Sequence, residues 1–191
     1  FVWDVSGITL SANASITTSG GDVYLKGEGR GTGAVQSYSG SLQERSGVIL
    51  NGSDINAGGG NITIIGSLPT TGRAVRIQGG TTQTTTGTIT IQGSSTSTTV
   101  DGILLDQDTI IKTTTGAIDI NGTGGGTYGL FLANTGSTIA STSGAISLTG
   151  SGGTWDIADW VGASSAKIGY DGTTAYSGNI ALTANTLSMP T

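Results

Sequence analysis

Neither histidine nor cysteine occurs among the 191 residues, which excludes catalytic triads, thiol nucleophiles and His-rich metal sites at the outset. Carboxylates are what remain for acid–base work. Asp101, Asp106 and Asp108 lie close together in the chain, and Asp156 and Asp159 form a second pair. Two carboxyl groups at a suitable separation can act as acid and base, or as acid and nucleophile, in glycoside cleavage. Yet these acids do not return at equal intervals, and no Arg or Lys recurs beside them. They read better as solvating surface charge, so no catalytic residue is assigned and the chain reads as a non-enzyme. Gly124-Gly125-Gly126-Thr127-Tyr128 has the glycines of a calcium-binding nonapeptide but lacks its aspartate, so no metal or cofactor is expected either.

Hydroxyl groups are the other polar resource. Thr84-Thr85-Thr86, Thr113-Thr114-Thr115 and Ser141-Thr142-Ser143 recur at similar intervals. A regular hydroxyl array on a flat sheet is the arrangement of β-solenoid ice-binding proteins. Small hydroxyl residues also suit a tight corner where they stack in ladders, and Gly58-Gly59 interrupts the array. Ice binding is the most distant of the readings considered.

The elements that position these residues follow from one recurring motif. It reads Gly21-Asp22-Val23-Tyr24-Leu25-Lys26-Gly27, Gly60-Asn61-Ile62-Thr63-Ile64-Ile65-Gly66 and Gly87-Thr88-Ile89-Thr90-Ile91-Gln92-Gly93. It returns as Gly116-Ala117-Ile118-Asp119-Ile120-Asn121-Gly122, Gly144-Ala145-Ile146-Ser147-Leu148-Thr149-Gly150 and, without its last glycine, Gly178-Asn179-Ile180-Ala181-Leu182-Thr183. Alternation of apolar and polar residues is the period of a strand buried on one face. A strand unit returning every 20–50 residues marks a solenoid or a propeller. Most copies are about 27–29 residues apart, too short for four-stranded propeller blades.

Two further pieces complete each repeat. A second strand is Gly7-Ile8-Thr9-Leu10, Gly47-Val48-Ile49-Leu50, Ala74-Val75-Arg76-Ile77, Gly102-Ile103-Leu104-Leu105 and Gly129-Leu130-Phe131-Leu132, with a poorer copy at Ala166-Lys167-Ile168-Gly169-Tyr170. A third is found by counting back five residues from each anchor glycine, to Ile16, Ile55, Thr82, Ile111, Ile139 and Thr173. The pattern predicts an all-β fold: a right-handed, single-stranded parallel β-helix with three short strands per coil and about six coils. Handedness follows from the bias of parallel crossovers. Residues 1–191 form one β-helix segment, with insertions at about 28–46 and 151–165. Opening on Phe1, with no legible capping helix, the chain reads as a slice of a longer rod.

The alternation also assigns faces. The first strand turns Val23/Leu25, Ile62/Ile64, Ile89/Ile91, Ile118/Ile120, Ile146/Leu148 and Ile180/Leu182 inward. The second strand turns Ile49, Arg76, Leu104 and Phe131 outward. Three apolar residues there form either a docking strip or a surface covered by an inserted segment.

Composition narrows the partners. A formal charge of -5 and only 10% charged residues provide no basic patch for nucleic acid. No apolar run approaches the ~18 residues of a membrane helix, so no membrane insertion is expected. Absence of cysteine suits a chain exported unfolded. The Gly-Asn-Ile-Thr-Ile-x-Gly, Gly-Val-x-Leu and Ile-x-Thr-Thr-Gly repeats resemble filamentous haemagglutinin-like exoproteins, bacterial surface or secreted proteins of which many leave the cell by two-partner secretion. The resemblance covers nearly the whole chain, although the family's amino-terminal secretion domain is not evident. It implies a stalk or filament with an extracellular or cell-surface, adhesive role. Partners would then be the chain itself, end to end or laterally, or glycans and proteins of host or neighbouring cells. The alternative from another class is a carbohydrate-active β-helix enzyme, a polysaccharide lyase or hydrolase, using Asp101, Asp106 or Asp108.

Overall fold

The computed structural model describes residues 6–11, 13–30, 37–38, 41–42, 45–69, 72–96, 98, 101–133, 136–159, 165–169 and 177–188. The described residues contain strands and turns and no helix. The chain begins with β1 (Ile8–Leu10), β2 (Ser15–Thr17) and β3 (Val23–Glu28), then a small antiparallel pair, β4 (Ser37–Tyr38) and β5 (Ser41–Leu42). Three-strand coils follow. They are β6 (Ser46–Asn51), β7 (Asp54–Asn56), β8 (Ile62–Leu68), then β9 (Arg73–Gln78), β10 (Thr81–Gln83), β11 (Ile89–Ser95). Next come β12 (Ile103–Asp106), β13 (Ile110–Thr113), β14 (Ile118–Thr123), then β15 (Tyr128–Leu132), β16 (Thr138–Ser141), β17 (Ile146–Ser151). The last are β18 (Trp155–Asp159), β19 (Lys167–Ile168), β20 (Ile180–Thr183) and β21 (Leu187–Ser188).

Each strand pairs in parallel with its equivalent one coil away, giving three sheets. The second-strand sheet runs β1-β6-β9-β12-β15-β18-β21, the third-strand sheet β2-β7-β10-β13-β16-β19, and the first-strand sheet β3-β8-β11-β14-β17-β20. Register is set by the apolar period, since a one-residue slip would turn every inward side chain outward. Val23, Ile62, Ile89, Ile118, Ile146 and Ile180 accordingly stand in one column. The third-strand isoleucines found by counting back, Ile16, Ile55, Ile111 and Ile139, share a column with Thr82. The columns meet in one aliphatic core, with Ile62, Ile64, Ile89 and Leu105 fully buried. Each such side chain contributes roughly 1.5–3 kcal/mol. Enclosure is complete over the four coils from β6 to β17. In the outer coils Ile8, Leu10, Ile16 and Leu25 are half-buried, and Ile180, Leu182 and Leu187 are exposed. The six expected coils are thus four enclosed ones with a looser coil at each end.

The structure explains the glycines of the motif. A Cβ on Gly87 would strike the Gly60 carbonyl oxygen, one on Gly116 that of Gly87, and one on Gly144 that of Gly116. The anchor glycines therefore stack on each other's backbone, a contact only a residue without a side chain permits.

The last complete coil departs from expectation. Trp155–Asp159, inside the expected insertion 151–165, is the second-strand element: Leu130 pairs with Ile157 and Phe131 with Ala158. Lys167–Ile168, expected as that element, belongs to the third-strand sheet, with Ile168 beside Ile139. Ile168 occupies the column position expected for Thr173, which lies outside the described residues together with Tyr170. The strand went unread because Asp156 and Asp159 stand where earlier copies have Gly129 and Leu132. Of the expected insertion at 28–46, residues 31–36, 39–40 and 43–44 lie outside the described set.

Candidate functional site

The carboxylates sit in different settings, which decide what they can do. Asp101 is buried, and its Oδ2 accepts a hydrogen bond from Arg73 Nε at 2.9 Å. Burial pushes its carboxyl above the ordinary value, while the hydrogen bond and charge of Arg73 and a backbone bond with Tyr128 oppose that rise. Asp106 Oδ1 accepts the Gln107 N–H at 2.8 Å. Asp108 is exposed at φ 56°, a left-handed corner residue beside Gln107 at φ 52°. Asp101 and Asp106 are thus buried, whereas Asp108 faces solvent.

The second acidic pair is hydrogen-bonded to backbone N–H groups. Asp156 receives the N–H groups of Gly152 at 3.0 Å, Asn185 at 2.7 Å and Thr186 at 3.2 Å. It thereby ties the turn before β21 to β18. Asp159 is buried at the foot of an aliphatic column and accepts the Ala166 N–H at 3.3 Å. Burial raises its pKa, opposed by that single backbone bond. Among the described residues no three acids gather to hold a metal ion.

The outward strip of the second strand is covered in part. Leu104 and Phe131 are 3% and 8% exposed, and pack with Ala133 and Ala158 as a second small core. Tyr128 stacks on Phe131 with ring centroids 4.1 Å apart and forms part of the cover. Ile49 and Arg76 are half-buried. The residues do line up in one column, Ile49 beside Arg76, Arg76 beside Leu104 and Leu104 beside Phe131. They present no open apolar face at Leu104 and Phe131.

The hydroxyl triplets divide by position. Their first members, Thr84, Thr113 and Ser141, are buried, and their second and third members are exposed. Thr84 Oγ1 lies 2.7 Å from the Gly60 carbonyl oxygen. Thr113 Oγ1 accepts the Gly116 N–H at 3.2 Å. Ser141 Oγ donates to the Gly116 carbonyl at 2.9 Å and accepts the Gly144 N–H at 2.9 Å. These hydroxyls satisfy the backbone of the glycine stack, which sequence reasoning missed. The spacing of three residues between hydroxyl and anchor glycine was the available signal.

Beside these corners the outer face of the third-strand sheet holds a recess of about 320 Å³. Its wall includes Asn56, Gln83 and Lys112, with Thr114 and Thr142 along the corner and Ala140 at the end of the column. Asn56, Gln83, Lys112 and Ala140 are successive outward residues of β7, β10, β13 and β16. The fall from lysine to alanine makes the depression. Among the described residues neither Asp nor Glu lines it.

No family model, curated protein or solved structure matches the chain.

Proposed function

We propose that the chain is a structural and adhesive segment of a bacterial secreted or cell-surface filamentous protein, with the solenoid as the rod and its sides as contact surfaces. One observation carries this reading. Inward aliphatic columns, glycine stack and hydroxyl corner all run along a single axis, so each coil is held by its neighbours. An architecture of that kind extends by repetition and offers long lateral surfaces. The acids, in contrast, are engaged in holding the coils: Asp101 by Arg73, Asp156 by three backbone N–H groups. Partners in this reading are further copies at the ends and glycans or proteins of neighbouring cells along the sides.

Immunogold labelling with an antibody against this segment tests the placement. Labelling of intact cells is the expected result, and labelling confined to lysed cells overturns it.

A further inference from the structure

The recess on the third-strand sheet has a shape and a chemistry that select its occupant. It crosses β7, β10, β13 and β16, three strand steps or ~14 Å along the axis. Its occupant is therefore extended and lies across the strands. A peptide would bind such a sheet by adding a strand to an open edge, yet β7, β10, β13 and β16 are each paired on both sides. Among the described residues the recess offers no apolar side chain beyond Ala140. What it offers repeats coil by coil: amides of Asn56 and Gln83, the ammonium of Lys112, hydroxyls of Thr114 and Thr142. Gln83, Lys112, Thr114 and Thr142 have no side-chain hydrogen bond among the described residues, so their donors remain for a ligand. Lys112 is exposed, is the sole charge among the described residues of the lining, and stands on a chain of net charge -5. A hydroxyl-rich polymer that also carries negative charge matches all of these features.

We propose that this recess binds an acidic oligosaccharide along the solenoid axis, with a carboxylate at Lys112 and sugar hydroxyls at Gln83, Asn56, Thr114 and Thr142. The inference rests on the adhesive reading and gives it a ligand class and a place. A charge-assisted hydrogen bond to Lys112 supplies the preference for acid over neutral sugar, and the surrounding amides and hydroxyls supply the length requirement. With one ion pair formed, binding weakens modestly with salt rather than steeply.

Calorimetric titration of the 191-residue chain with tetragalacturonate and with maltotetraose tests this. Binding of the acidic tetrasaccharide at least tenfold tighter than the neutral one is expected. Lys112→Gln should remove most of that difference, and Gln83→Ala should weaken binding severalfold, both with unchanged far-UV circular dichroism. Equal affinity for the two sugars, binding of neither, or an unaltered Lys112→Gln variant would each overturn the proposal, and so would competition by an acidic peptide at equal strength. Adhesion of the segment to intact cells is measured in parallel. If wild type and Lys112→Gln adhere alike, the recess is refuted while the adhesive reading stands; if wild type does not adhere, that reading itself fails.

Discussion

At the scale of single residues, the repeat is held by atoms that are missing as much as by atoms that are present. Gly116 sits where a methyl group would occupy the space of the Gly87 carbonyl oxygen, whereas a Cβ on Gly21 would meet nothing closer than Thr18 Cβ at 3.8 Å. Gly116→Ala is therefore expected to cost about 3 kcal/mol through overpacking against rigid backbone. Gly21→Ala should stay within about 0.5 kcal/mol of wild type. Urea midpoints followed by circular dichroism separate the two, and equal losses would show that the stack is not the reason for the glycines. The hydroxyls obey the same logic. Thr113→Val keeps the shape but leaves the buried Gly116 N–H without its acceptor, a loss of about 1–3 kcal/mol. The exposed neighbour Thr114 should tolerate Thr114→Val within about 0.5 kcal/mol, again read from the urea midpoint. The glycines were legible as punctuation in the sequence, but their stacking was not, because it depends on which backbone atom lies one coil away. The triplets were legible as an array, and their division into buried and exposed members needed the corner itself.

At the scale of the element, β18 shows where pattern reading stops. The columns through β15 were readable because each copy repeats small, aliphatic, any, aliphatic: Gly102-Ile103-Leu104-Leu105, then Gly129-Leu130-Phe131-Leu132. In β18 the same places hold Asp156-Ile157-Ala158-Asp159, so two of the three diagnostic positions carry a charge. Tertiary pairing overrides this local pattern: of the diagnostic positions Ile157 alone keeps the inward apolar contact, at 1% exposure. Among the described residues the column Leu10, Leu50, Ile77, Leu105, Leu132 then runs to Asp159. Burial raises the pKa of that carboxyl, so the folded chain holds its proton more firmly than the unfolded one. Stability accordingly falls as pH rises from the unfolded carboxyl value, about 3.9, through the raised folded value, and is level above it. Asp159→Asn should be more stable than wild type at neutral pH and lose that advantage below about pH 4, where both side chains are uncharged. Thermal unfolding at a series of pH values checks it. Parallel curves for the two proteins would mean that Asp159 is not penalised by burial.

At the scale of the whole molecule, the two ends differ, and the difference bears on whether copies join head to tail. The terminal coil leaves core-facing Ile180, Leu182 and Leu187 exposed at 46%, 43% and 48%, beside strand edges of the kind that recruit another strand. A second copy offers β1, β2 and β3, whose Ile8, Leu10, Ile16 and Leu25 are half-buried, so its inward columns would continue those of the first. The sheets are unequal, however. Among the described residues the second-strand sheet has seven strands and the others six, so β21 projects one strand spacing, ~4.8 Å, beyond β19 and β20. A copy pairing with β19 and β20 would collide with β21. Asp156 holds that projecting strand in place through the N–H groups of Asn185 and Thr186. Asp156→Ala should therefore loosen β21 and increase concentration-dependent association, and removal of residues 186–191 should increase it further. Because the contact is heterologous, the products should be open chains of graded length rather than closed rings. Adding Leu182→Lys to the truncated chain should abolish the association by placing a charge on the end face. Sedimentation velocity over a concentration series reads all three. Association that survives Leu182→Lys would move the contact from the ends to the sides, and no change on removing β21 would show that its projection is not what limits growth.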